Sequence, residues 1–308
     1  MSATTSRFLF GCTLTALLAG CATPGQHFSP PGVAAPGALT QAMDVPNASA
    51  LLYVSDPEGN DIATYTFPDG KPVATIPFDQ PAGMCVSKSG NVFIGDPNDA
   101  QVRVFAHGGT KPLRSLNDPG YNPLSCAIDQ KSGNLAVTSF IGSKGHGSLA
   151  IYSHAIGAPK VYSDANIPHM FYAGYDGAGN LFVDGTTSSR KVVVAELAKG
   201  STHIVAIPLN QTIATAGGVA WDGTYLDVAD VNASVIYRFK IAAGKGTKAG
   251  SIALKGSAYV DEFSIQGSQV VVPDYINGKV HYYKFPGGGT PVKTIDGLTS
   301  PLATVVSN

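Results

Sequence analysis

A short phrase, a strand that ends on a small polar side chain, recurs six times along this chain at a nearly constant interval. It stands at Leu51-Leu52-Tyr53-Val54-Ser55-Asp56, Asn91-Val92-Phe93-Ile94-Gly95-Asp96 and Asn134-Leu135-Ala136-Val137-Thr138-Ser139. It returns at Gly179-Asn180-Leu181-Phe182-Val183-Asp184, Tyr225-Leu226-Asp227-Val228-Ala229-Asp230 and Gln269-Val270-Val271-Val272-Pro273-Asp274. The ends lie roughly 40 to 46 residues apart, the period of a four-stranded sheet repeated as one blade of a β-propeller. The expected fold is therefore all-β: a six-bladed β-propeller of four-stranded antiparallel blades.

Composition agrees with one large β domain and removes one class of partner. The 308 residues are 44% apolar, enough for a substantial core, and include 36 Gly and 21 Pro, as many tight turns require. Only 13% are charged, the formal net charge is -1, and no run of Lys and Arg offers a phosphate backbone a footprint. A nucleic-acid partner is not expected.

The first residues read as an address. Arg7 precedes an apolar run, Phe8 to Ala19, too short for a membrane span. It ends in Leu18-Ala19-Gly20-Cys21, which resembles the lipobox of bacterial lipoproteins. That resemblance implies cleavage before Cys21, whose thiol would carry diacylglycerol and whose amine a further fatty acyl chain such as palmitate. Several buried chains hold firmly, since each CH₂ contributes about 0.8 kcal/mol. Ala22 rather than Asp follows, which resembles the outer-membrane sorting signal of Gram-negative cells. The alternative is a plain secretory signal that contains a cysteine. Residues 22–48 are rich in Pro, Gly, Ala and Thr without apolar period, which suits a disordered tether. The expected organisation is a signal at 1–20, a tether at 21–48 and the propeller at 49–308.

Each repeat parses into four strands, A to D, with the recurring phrase as B. In the second repeat A is Pro81-Ala82-Gly83-Met84-Cys85-Val86-Ser87, C is Gln101-Val102-Arg103-Val104-Phe105 and D is Pro112-Leu113-Arg114-Ser115-Leu116. In the sixth, A is placed at 260–265. The first repeat has no A strand, whereas Ser300-Pro301-Leu302-Ala303-Thr304-Val305-Val306-Ser307 has that form with nothing after it. The C-terminal strand is thus expected beside Leu51 to Asp56, closing the ring and removing the long edges an open sheet would expose.

Pro-x-Gly-Met-Cys-Val-Ser, Ser-Gly-Asn-Val-Phe-Ile-Gly-Asp and Gln-Val-Arg-Val-Phe together resemble the NHL repeat, within the wider group that includes SMP-30 and gluconolactonase-like propellers. The resemblance covers about Leu51 to Asn308. It implies architecture more than chemistry. In the gluconolactonase-like enzymes Glu, Asn and Asp side chains hold a divalent metal at the channel mouth. The A-strand entrances here are Gly83, Ser125, His169, Gly217, Asp261 and Ala303, a poor match to such a set.

In this parse the ends of B and the starts of A share one rim, so Asp56, Asp96, Asp184, Asp230 and Asp274 gather at one mouth, joined by His169, Asp261 and Glu262. Such groups could ligate a hard cation or a polar ligand; equally, short carboxylates cap turns by accepting backbone N–H bonds. The preferred ligand-contact group is His169 with Asp261 and Glu262, with Asp184 and Asp230 as further candidates, and a histidine bonded only to its neighbours is the alternative. Aligned A strands put Cys126 level with Met84 and Cys85 level with Ala127, so Cys85 and Cys126 are candidates for a disulfide between adjacent blades, two free thiols being the alternative. Tyr65, Phe105, Tyr152, Tyr237 and Tyr282 on C strands read as blade packing, with a carbohydrate-stacking stripe as the rarer reading. Gly244-Lys245-Gly246-Thr247-Lys248-Ala249 opens no helix and reads as a C to D turn, not a dinucleotide fingerprint. No nucleophile elbow, His-Glu-x-x-His or phosphate-binding glycine loop occurs.

The expected function is a lipid-anchored propeller of the cell envelope, at the outer membrane, that binds a protein, peptide or glycan and has no cofactor. The alternative is a metal-dependent lactonase-like hydrolase or lyase. An apolar or aromatic rim favours the first; a divalent ion touching His169 and Asp261 favours the second.

Overall fold

The computed structural model describes residues 49–119, 122–141 and 145–308. The expected signal at 1–20, the expected lipidation of Cys21 and the expected tether at 21–48 lie outside the described residues.

Six four-stranded antiparallel sheets are present. The first blade holds β1 (Leu51–Asp56), β2 (Asp61–Thr66) and β3 (Pro72–Pro77). The second holds β4 (Met84–Val86), β5 (Val92–Asp96), β6 (Gln101–Phe105) and β7 (Pro112–Asn117), and the third β8 (Pro123–Ile128), β9 (Leu135–Ser139), β10 (Ser148–Tyr152) and β11 (Lys160–Tyr162). The fourth holds β12 (His169–Tyr175), β13 (Leu181–Thr186), β14 (Val192–Leu197) and β15 (Val205–Ile207); the fifth β16 (Ala216–Trp221), β17 (Leu226–Asp230), β18 (Val235–Ala242) and β19 (Lys245–Ala253). The sixth holds β20 (Ser264–Gln266), β21 (Gln269–Asp274), β22 (Lys279–Lys284) and β23 (Gly288–Ile295), and β24 (Ala303–Ser307) ends the chain. Helix among the described residues is one 3₁₀ turn at Ser153–Ala155.

The ring closes as the repeat requires. β24 lies antiparallel to β1, with Leu52 opposite Val306, Tyr53 opposite Val305 and Ser55 opposite Ala303. The first sheet therefore runs β24-β1-β2-β3, built from both ends of the propeller.

The recurring phrase is apolar on both faces because each second strand is sandwiched. Leu51 and Tyr53 pack toward Val92, Ile94 and Phe105 of the second blade. Leu52 and Val54 pack toward Val271, Val280 and Tyr282 of the sixth. Corresponding clusters fill the other interfaces, for example Phe93 and Val104 with Leu135 and Val137, or Phe182 and Val194 with Val228 and Phe239. Every blade is thus held by apolar burial against two neighbours, about 25 cal/mol per Å². Tyr65, Phe105, Tyr152 and Tyr282 are buried in these clusters, and Tyr237 packs on one.

Two strand assignments differ from the sequence reading. The C to D turn expected over 244–249 is confined to Ala243 and Gly244, both at positive φ, because β18 continues to Ala242 and Lys245 already opens β19. Alternating Gly and Thr hide a strand because they carry little apolar signal. In the sixth blade the regular inner strand starts at Ser264 rather than at 260, since Glu262 leaves its own sheet and bridges in parallel to Ala303.

Cys85 and Cys126, on the inner strands β4 and β8, are joined by a disulfide with Cα atoms 5.5 Å apart, enclosing a sequence separation of 41 residues. A loop of that length corresponds to roughly 4 kcal/mol of unfolded-state entropy. Replacing both cysteines by serine should lower the melting temperature by about 10 °C, read by calorimetry; an unchanged melt would show that the bridge does not form in the protein.

Candidate functional site at the channel mouth

Second strands end, and inner strands begin, on one rim, and there most carboxylates serve the chain itself. Asp56 accepts N–H bonds from Thr299 and Ser300 at 2.6 and 2.7 Å. Asp230 accepts from Ala214 and Thr215 at 2.8 and 3.2 Å, and Asp274 from Ala258 at 3.2 Å and the Asn277 amide at 2.8 Å. In each case the carboxylate pins the segment that leads from one blade's outer strand into the next inner strand. Asp230, a sequence candidate for ligand contact, is spent on this cap. The third blade inverts the pair: Ser139 ends the strand and donates to Asp118 at 2.7 Å. Asp96 pairs with Arg103 at 2.5 Å.

Three other candidates come together inside the channel. Glu262 reaches across it from the sixth blade, accepting the Ser125 hydroxyl at 2.6 Å and the Met84 N–H at 3.2 Å. Its neighbour Asp261 accepts the Tyr172 hydroxyl at 2.8 Å. Asp184 accepts the Tyr172 and Gly217 N–H groups, the first at 2.9 Å. One acidic pair thereby ties the sixth blade to the second, third and fourth. Gly83 is required at this crossing: a Cβ there would collide with Glu262 Oε2 and lie 2.6 Å from the Leu124 carbonyl oxygen.

Burial sets the charge state of this cluster. Glu262, Asp261, Asp184 and Tyr172 are all buried. Removal from water raises Glu262 to about 8, against the bonds from Ser125 and Met84 that pull it down. The same cause lifts Asp261 to about 6 against its Tyr172 bond and holds Asp184 well above the ordinary carboxylate range. When Glu262 takes up a proton the Ser125 contact can reverse, the carboxyl O–H donating to Ser125 Oγ where the ionised form accepts from it, while the other oxygen still accepts from Met84.

His169 is placed differently from the group it was expected to form. Its Nδ1 lies 3.3 Å from Thr186 Oγ1, and its ring stacks on Phe140 at 4.8 Å, which in turn meets Phe171 at 5.2 Å. The Phe171 carbonyl accepts the Thr138 hydroxyl. These three rings are half-buried, and Ile141 beside them is 43% exposed. On the sixth blade at the same rim, Tyr259 and Tyr275 pack at 5.8 Å, with Tyr275 bonded to Glu58 at 3.1 Å. Among the described residues no three His, Cys, Asp or Glu side chains converge to hold a metal ion.

Sequence reasoning missed Tyr172, Phe140 and Phe171. The available signal was the long connection beginning at Phe140 and an A strand carrying adjacent aromatics, Phe171-Tyr172, just after His169.

No protein-family model matches the chain, and no curated protein matches it. Solved structures do. A chain from the crystal structure of a nidogen/laminin complex superposes with a TM-score of 0.67 at 13% identity, covering 84% of this chain and 98% of that one. A protein of unknown function from Bacteroides caccae gives 0.63 at 14%, covering 85% of this chain and all, 100%, of the other. At such identity the likeness is one of fold.

Proposed function

We propose that this protein is a lipid-anchored binding module of the cell envelope, held through Cys21 at the outer membrane, which takes a protein, peptide or glycan at the mouth rim of an NHL-like, SMP-30-related propeller. The observation that carries the binding reading is the contrast at that rim. The channel carboxylates are engaged in cross-channel and capping bonds, while Phe140, His169 and Phe171 form a partly accessible aromatic shelf flanked by Ile141. Aromatic surface with few free titratable pairs suits recognition better than hydrolysis. The lactonase-like alternative requires a cluster of metal ligands, and Asp261 and His169 have separate partners.

The anchor is supported by Leu18-Ala19-Gly20-Cys21, and export by the Cys85–Cys126 bridge, a bond that persists in oxidising compartments. The nidogen/laminin structure is a complex of two proteins; for the present chain it lends a precedent for recognition by this fold and no partner.

Intact-mass and elemental analysis of protein purified from membranes should find an acylated N-terminal Cys21 and no stoichiometric divalent metal. An unmodified N-terminus removes the anchor; bound metal lost on Asp261→Asn turns the reading to the enzyme. A photo-cross-linker at Ile141 should give a discrete adduct in intact cells that Phe171→Ala reduces about tenfold, the loss expected for a buried aromatic contact. Adducts obtained equally from Val292 on the outer strand β23 would move the site off the mouth.

A further inference from the structure

Charge is unevenly divided between the two rims of the ring. The rim opposite the mouth is formed by the connections from inner to second strands and from third to outer strands. Adjacent blades meet there, as Ser307 Oγ donates to the Gly90 carbonyl at 2.7 Å and Lys131 Nζ reaches the Gly177 carbonyl. Each blade places an exposed lysine on this rim: Lys71, Lys111, Lys131, Lys199, Lys245 and Lys284, in blade order. Between them the outer edge of the second to fourth blades exposes large apolar side chains, Leu113 at 60%, Ile156 at 55%, Val161 at 47% and Val205 at 61%. Asp69, Asp129, Asp176 and Glu196 offset part of this charge, and Asp222 is paired with Arg238.

The mouth rim has the opposite balance. To its second-strand carboxylates it adds exposed Glu58, Asp79, Asp99 and Asp296, against Arg190, Lys191, Lys255 and Lys279, the last paired with Asp296 at 3.2 Å. A near-neutral chain of net charge -1 is therefore electrically polar along the axis of its ring.

The covalent path points the same way. Ala50 accepts the Phe67 N–H at 2.8 Å, beside the turn that carries Lys71. The chain thus enters β1 from the lysine rim.

We propose that the lysine rim is a docking surface for an anionic phospholipid bilayer. Ammonium groups ringed around the rim meet headgroup phosphates, and Leu113, Ile156, Val161 and Val205 enter the headgroup boundary between them. The aromatic mouth then faces away from the membrane. Only the identity of the bilayer, the one holding Cys21, rests on the proposed function.

The test uses the full mature protein reconstituted into vesicles of phosphatidylglycerol and phosphatidylcholine, or of phosphatidylcholine alone, with amine-reactive labelling read by peptide mass spectrometry. On anionic vesicles Lys111, Lys131 and Lys199 should lose labelling about fivefold or more, while Lys191 and Lys255 keep it. The protection should fade as salt shortens the Debye length from about 10 Å to about 3 Å. Lys111→Glu/Lys199→Glu/Lys245→Glu, three exposed changes at ammonium groups that bond to no neighbouring blade, should leave the melt intact and abolish the protection, read at Lys71 and Lys284. Equal labelling of both rims on anionic vesicles, or the same pattern on neutral ones, overturns the proposal. The intact mass of the same sample reports the Cys21 acyl chains separately, so loss of the anchor and loss of the rim's lipid preference are distinguishable.

Discussion

A chain ending at Pro301 should not melt cooperatively at any temperature where the complete protein does. The seven missing residues include β24, whose five positions are all buried and whose backbone pairs with β1 from Leu51 to Ser55. Ala303, Val305 and Val306 would leave the core, and the inner edge of β1 would be bared. Full burial of a Val-sized side chain contributes about 1.5–3 kcal/mol, so lost packing and pairing together exceed roughly 5 kcal/mol, comparable with the whole stability of a domain. Because Ser307 faces Leu51 across the pair, moving residues 300–308 to precede residue 50 through a tight turn should restore the melt. A truncated chain that melts like the parent would show that the ring does not depend on its closing strand.

Raising the pH from about 5 to 9 should destabilise the protein, Glu262 alone contributing roughly 4 kcal/mol, and Glu262→Gln should remove that share of the slope. The sign follows from proton binding. Glu262 rises from 4.5 to about 8 in the fold, so between those values the folded state holds a proton that the unfolded state has released, and stability falls as pH rises. Each unit of difference corresponds to about 1.4 kcal/mol, and the roughly 4 kcal/mol from Glu262 amounts, for a ring of this size, to about 10 °C in melting temperature. Asp227, raised to about 7 mainly by burial, and Asp261, raised to about 6, add to the same trend. Glutamine keeps one donor for Ser125 Oγ and one acceptor for the Met84 N–H, so at pH 5 the variant should match the parent and at pH 9 exceed it. Glu262→Ala leaves the Met84 N–H buried without a partner and should be less stable at every pH. A parent whose melt does not change between pH 5 and 9 would sink the assignment of a neutral, cross-channel Glu262.

The six blades were legible because a sandwiched second strand needs apolar side chains on both faces and a tight turn before it, a local demand repeated in local sequence. Ring closure was legible for a similar reason: Leu51 opens with a second strand, and the final strand has no sheet of its own. The Glu262 crossing was not, since Ser125 and Gly83 stand far from it in the chain and nothing in Asp261-Glu262 distinguishes a channel bridge from a solvent-facing acidic pair. Asp184 and Asp230 illustrate the same limit. Both close corresponding phrases of the repeat, yet one meets Tyr172 and Gly217 inside the channel while the other caps 214–215.

The sequence by itself determined the number of blades, the order of their strands and the closing of the ring, because hydrophobic periodicity and turn chemistry act between neighbours in the chain. Only the tertiary structure decided which acids are spent as caps, which is held neutral across the channel, and which rim gathers the lysines, because those depend on distances between residues far apart in sequence and on the water that folding removes around them.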